Sequence, residues 1–275
     1  MSIFPDFYDR FACLAHRCRH SCCRGWEIDV DEDSAAYYKT VPGELGAKLR
    51  RSITRDGEGA HFALTADERC PFLQRDGLCE LILKLGEDAL CDICALHPRF
   101  YEDLGETELC GLGLSCEAVC TLLLESGEPL RFLDDESGNT LLMPQLLDRL
   151  GLSTDPARLR FDGEKPPAAY LEGLAKTEAI DGNWPGELEA VQAALPNLTL
   201  PTGPLYDRIL QALLYRQLER VEETGMEKLL RYARESTAFL AAWDAMEGFH
   251  PEHLRRFSEQ IEYSTENVDI LLCTE

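Results

Sequence analysis

The sequence predicts a mainly α fold, in which a cysteine-rich N-terminal metal- or cluster-binding region with a small β-hairpin precedes a helical C-terminal region. Three observations predict it. Eleven of the 12 cysteines lie between Phe11 and Cys120, with only Cys273 outside. Asp76-Gly77 sits between two short apolar runs, the pattern of a type I′ hairpin. From Leu205 onward, apolar residues such as Ile209, Leu213, Tyr215 and Leu218 recur at helical spacing, as in a core-facing stripe. The 275 residues, 45% of them hydrophobic, can bury a core without relying on cysteine staples.

In chain order, Trp26–Val30 alternates apolar and acidic residues like a short strand. Asp33 or Ser34 can cap a helix to Thr40, and Pro42-Gly43 separates it from another to Ile53. The segments around His61 and from Cys70 to Leu81 read as short strands, with Cys70 and Cys79 near the two ends of the hairpin. A helix from Glu80 to Leu90 is expected to deliver Cys91 and Cys94 where it ends, and Pro98 blocks an immediate restart. Leu112–Glu125 looks helical and would put Cys116 and Cys120 on one face. Residues 1–125 thus form the cysteine-rich region, 126–204 an irregular helical connector punctuated by prolines, and 205–275 the helical C-terminal region. Within the connector the clearest helices are Leu141–Leu150 and Pro167–Ile180. Beyond it follow Leu205–Glu223, Met226–Met246, Pro251–Tyr263 and a short one to Leu272.

The thiols call for a chemical reason. Met1–Arg10 lacks the basic and apolar regions of a secretory signal, so a cytoplasmic protein is expected, and in that reducing compartment clustered thiols bind metal rather than form disulfides. Cys18 and Cys22 are spaced C-x3-C, and Cys91 and Cys94 C-x2-C, as pairs that complete a tetrahedral site with partners from elsewhere. Cys13, Cys18, Cys22 and Cys23 read as ligands, whereas Cys110, Cys120 and Cys273 read as packing or surface thiols. An all-sulfur set suits both zinc and iron-sulfur clusters. A net charge of -23, shared by both parts of the chain, repels phosphate backbones and attracts cations, so nucleic acid is an unfavourable partner and a lysine-bearing polypeptide a natural one. No apolar run approaches membrane-spanning length.

The ordered residues Cys13, Cys18, Cys22-Cys23 and Gly25-Trp26, then Cys70-Pro71-Phe72-Leu73, Asp76-Gly77-Leu78-Cys79, Cys94, Pro98-Arg99 and Leu114-Ser115-Cys116-Glu117, resemble the flagellin lysine-N-methylase family (FliB). That family is related to the CxxCxxCC group of zinc- or iron-chelating domains. Leu254–Ser264 is similar to its closing segment. The chain departs from the pattern at His97, where the family usually has Tyr, at Glu262-Tyr263, where it often has Glu-His, and in its shorter middle. The resemblance implies a cytoplasmic enzyme that methylates lysines of a protein substrate, flagellin, from S-adenosylmethionine. It also implies a 4Fe-4S cluster, with zinc as the alternative, held by Cys13, Cys18, Cys22, Cys23, Cys70, Cys79, Cys94 and Cys116. No catalytic residue and no S-adenosylmethionine pocket is assigned, since no Rossmann-like glycine fingerprint follows a strand. Glu117 and Arg99 are plausible pocket residues. The other function class compatible with the residues is a non-catalytic iron-sulfur or zinc protein for metal storage, delivery or redox sensing.

Overall fold

A computed structural model describes residues 1–57, 59–125 and 127–274. Ser126 and Glu275, which bound two of the expected regions, lie outside the described residues. Strand β1 (Ser2–Pro5) comes first, and residues 12–98 then form one compact unit.

In that unit β2 (Ile28–Asp29), α1 (Glu32–Thr40), α2 (Gly43–Ser52), β3 (Ile53–Arg55), β4 (Ala60–Phe62), α3 (Glu80–Leu85) and α4 (Asp92–Leu96) follow one another. The strands form an antiparallel sheet in the order β2-β4-β3. Its small core stacks Tyr38 on Phe62, ring centroids 6.0 Å apart, and sets Phe62 edge-on to Phe72 at 5.0 Å. Asp31, rather than Asp33 or Ser34, caps α1: its carboxylate accepts from the Ser34 N–H at 2.8 Å. The same carboxylate accepts from the Asp92 N–H at 3.0 Å, so one residue ties down the starts of α1 and α4.

The other unit joins residues 1–11 to 99–275. It continues with β5 (Arg99–Leu104), β6 (Thr107–Leu112), α5 (Glu117–Leu124), β7 (Arg131–Asp134), β8 (Thr140–Leu142), α6 (Met143–Arg149), α7 (Ala168–Leu174) and α8 (Trp184–Ala194). The remaining helices are α9 (Pro204–Arg216), α10 (Val221–Thr224), α11 (Met226–Glu247), α12 (Pro251–Ile261) and α13 (Thr265–Leu272). Five strands form a mixed sheet in the order β5-β6-β1-β7-β8. Central β1 runs parallel to β6, with Ile3 opposite Leu109, and antiparallel to β7, with Ile3 opposite Asp134. The Tyr215 hydroxyl on α9 lies 2.9 Å from the carbonyl oxygens of Ile3 and Cys110, which joins the helical layer to the middle of the sheet. The expected stripe of Ile209, Leu213, Tyr215 and Leu218 is buried in this core.

The fold class is therefore mixed rather than mainly α: thirteen helices among the described residues accompany sheets of five and three strands. The hairpin is also different in kind. Only Leu73 and Cys79 form an isolated bridge, and the loop Arg75-Asp76-Gly77 closes with Gln74 and Leu78 facing each other. Gly77 alone takes a positive φ, +83°, which gives a three-residue loop with a left-handed glycine in place of a type I′ turn. The helix expected to reach Leu90 stops at Gly86, whose φ is +91°. No helix among the described residues is long and apolar enough to cross a membrane.

Candidate metal centre

The cysteines of residues 12–98 divide by depth. Cys70 and Cys91 are buried, Cys23, Cys79 and Cys94 half-buried, and all five belong to or pack against this unit's core. Local structure brings them together. The Cys70 N–H donates to the Cys23 carbonyl at 2.9 Å, and the Arg24–Arg69 bridge holds the two segments side by side. The Leu73–Cys79 bridge folds the Cys70 loop back so that Cys79 can begin α3. Cys91 precedes the first residue of α4 and Cys94 lies one turn into it, so the pair opens a helix rather than following one.

Backbone N–H groups serve these sulfurs. Those of Phe72 and Leu73 point at Cys70, those of Leu81 and Ile82 at Cys79, and that of Cys94 at Cys91. Donors two and three residues beyond a cysteine suit a thiolate, as does the positive end of a helix. Burial nevertheless pushes the Cys70 thiol up to about 12, and negative charge on Cys23 or Cys79 pushes the same way. Burial and Cys23 raise Cys79 as well. Cys91 and Cys94 share a proton: the hydrogen bond from Cys94 lowers Cys91, and the same bond with burial raises Cys94. Cys23 falls to about 7, because the Cys22 hydrogen bond outweighs burial, with Ser21 adding to it. Sulfurs that oppose one another's ionisation while backbone donors face them have the donor chemistry that an iron-sulfur cluster or zinc takes, although among the described residues the group in this unit whose ligand atoms lie within 4.8 Å of one another is Glu27, Asp56 and His61 and not a set of thiols.

The remaining predicted ligands are placed otherwise. Cys13 and Cys22 are exposed and Cys18 half-buried, on the loop before β2. The Ala15 N–H reaches the Cys13 sulfur at 3.4 Å, and the Cys18 thiol donates to the His20 carbonyl at 3.2 Å. Gly25-Trp26 closes this loop, with the Trp26 indole N–H donating to the Cys22 carbonyl. Cys116 belongs to the other unit, where it precedes α5 and packs against that unit's core. Cys110 and Cys120 are buried there, and Cys273 is exposed. Arg99 lies over the rings of Tyr8 and Phe11, 5.8 and 5.1 Å from their centroids, a packing role.

Cys91, outside the set that the resemblance implies, is buried in the same small core as Cys23, Cys70, Cys79 and Cys94, and its C-x2-C spacing to Cys94 is the sequence signal for it. Sequence reasoning missed Glu27, Asp56 and His61, whose ligand atoms all lie within 4.8 Å of one another beside the three-stranded sheet. His61 Nδ1 contacts Glu27 and sits 3.6 Å from Asp56, so two carboxylates satisfy one imidazole. Three residues scattered over 35 positions of sequence leave no local pattern to read.

No family model matches the chain, and no solved structure matches it. Curated proteins do. A lysine-N-methylase of Salmonella typhimurium is 27% identical over 234 aligned residues, covering 75% of this chain and 55% of the relative. A lysine-N-methylase of Salmonella choleraesuis is 26% identical over the same shares. The flagellar biosynthetic protein FliU of Salmonella muenchen is 26% identical over 142 residues, 48% of this chain and 82% of that protein. The chain spans about half the length of the lysine-N-methylases it matches. The chain is thus similar to the lysine-N-methylases over three quarters of its length.

Proposed function

We propose that this chain acts in the N-methylation of protein lysine side chains, with S-adenosylmethionine as methyl donor, flagellin as substrate and a 4Fe-4S cluster in residues 12–98. The observation that carries the reading is the convergence of Cys23, Cys70, Cys79, Cys91 and Cys94 in a chain similar to lysine-N-methylases. At most four of these five would hold the cluster, one thiolate per iron, and backbone N–H groups at Cys70, Cys79 and Cys91 would stabilise the thiolate charge. A bound cluster supplies one-electron chemistry and, where an iron keeps an open position, a Lewis-acid site. Methyl transfer to lysine forms an N–C bond as the sulfonium S–C bond breaks, and it needs the amine without its proton. The chain's part is to attract the lysine cation, for which its net charge of -23 is suited, and to orient the amine once it is neutral.

A second reading has its own support: the cysteine-bearing residues 12–98 are a compact unit with a core of their own. A non-catalytic zinc or iron-sulfur protein for metal storage, delivery or redox sensing requires no more than that unit.

The test is anaerobic purification, metal analysis and incubation with labelled S-adenosylmethionine and flagellin. The expected result is about four irons per chain with matching sulfide and label on flagellin lysines. Zinc without iron, with no label transferred, would overturn the enzyme reading in favour of the second.

A further inference from the structure

In the unit of residues 1–11 and 99–275, an open cavity of about 390 Å³ lies where α8, the end of α11 and the start of α12 meet. Its lining combines acids, Glu187, Glu247 and Glu252, with aromatic surface from Trp243 and the half-exposed Phe249. Arg256 also lines it, but its charge is spent: the guanidinium lies 2.6 Å from Asp181, 3.2 Å from Glu187 and 3.5 Å from Glu259. The start of α12 is likewise occupied, since the Glu252 N–H donates to His250 Nδ1 at 3.1 Å. An anion therefore finds neither an available guanidinium nor the leading N–H of that helix.

A cation finds more. His253 Nδ1 lies 2.6 Å from the buried Asp244 carboxylate, which also accepts from the Tyr206 hydroxyl at 2.9 Å and the His250 N–H at 3.3 Å. Holding Nδ1 this way turns Nε2 toward Glu247, 3.3 Å from its carboxylate. Trp243 stacks on the same imidazole, centroids 4.7 Å apart and planes 14° apart, so the ring cannot turn. Glu247, its side chain 54% exposed, keeps acceptor capacity for a guest. The C-terminal end of the 22-residue α11 adds the negative end of its dipole. The complementary guest is a primary ammonium on an apolar tether.

We propose that this cavity binds the side chain of a lysine in a polypeptide, its ammonium on the exposed Glu247 carboxylate and its methylenes against Phe249. The inference rests on the lysine-methylation reading for its substrate class, and it locates the substrate's side chain on residues 187 and 243–256. Free polyamines share the ammonium chemistry and are told apart from a peptide lysine by the titration.

The test is a titration of the full-length chain with Nα-acetyl-lysine N-methylamide, with its norleucine counterpart and with spermidine, each followed by NMR at the Trp243 indole resonance. The lysine probe is expected to saturate that shift, and the neutral norleucine probe to bind at least tenfold more weakly. Glu247→Gln, at an exposed position, is expected to weaken the lysine probe at least fivefold while circular dichroism shows the chain still folded. Equal binding of both probes, spermidine binding without lysine binding, or no effect of E247Q would each overturn the proposal. Because the titration contains no methyl donor, its failure is separate from failure of the methyl-transfer assay. Saturable lysine binding beside unlabelled flagellin would uphold the cavity and reject the enzyme.

Discussion

At the scale of the residue, His253 shows how a buried partner sets a charge. Burial alone would lower its pKa, but Asp244 and, secondarily, Glu247 raise it above the ordinary 6.5. A group with a raised folded pKa contributes stability that is complete below the unfolded value and is lost as pH rises through the folded one. This contribution should therefore be full below pH 6.5 and fade above it. Asp244→Asn should lower the His253 pKa, flatten that part of the stability profile and cost about 1–3 kcal/mol, since the Tyr206 hydroxyl loses its charged acceptor. An NMR titration of the imidazole and urea melts across pH 5.5–9, roughly the range where such a group changes charge, would check all three. A histidine six residues beyond an aspartate's helix-ending glutamate has no signature in sequence, and this pair was not legible there. The cysteines were legible because their chemistry is rare enough to demand explanation singly. Cys91 was legible from its C-x2-C spacing to Cys94, though the family resemblance does not include it.

At the scale of the element, the long helices beyond Pro204 were readable from apolar stripes repeated over several turns: α11, α12 and α13 fall within a few residues of expectation, whereas the single helix expected over Leu205–Glu223 ends at Arg216 and α10 follows as a separate short helix. The strands of the five-stranded sheet were not. β1 is four residues ending in proline, and β7 buries only Phe132 and Asp134 of its four, so neither carries a period long enough to recognise. The partners of β1 lie more than a hundred residues away, a distance that no window reports, although β7 also pairs locally with β8. The β5–β6 pair adds a dependence of its own. Phe100 lies opposite Gly111, and a Cβ on that glycine would fall 2.1 Å from the Phe100 ring. The ring is held from another side by the Arg216 guanidinium, 4.3 Å from its centroid. Gly111→Ala is accordingly expected to destabilise by about 1–3 kcal/mol, the usual cost of overpacking. Adding Phe100→Leu should restore part of the loss, and a double-mutant cycle in urea would measure the coupling.

At the scale of the whole molecule, a charge of -23 means that folding compresses like charges, which salt screens. The melting temperature should rise by a few degrees, about 1 kcal/mol of stability, between low salt and roughly 0.5 M sodium chloride, where the Debye length is only a few ångströms. Scanning calorimetry with the metal content held constant would measure it. The placement of β1 carries a consequence for synthesis. This strand is the middle of its sheet, yet both its partners, β6 and β7, lie beyond residue 106. During translation β1 emerges ahead of the whole cysteine-bearing unit and then waits, unpaired, while residues 12–98 follow it out of the ribosome. The thiols of residues 12–98 can therefore gather while the segment that completes the five-stranded sheet is still being made. The order of the chain gives the cysteines the first opportunity to fold.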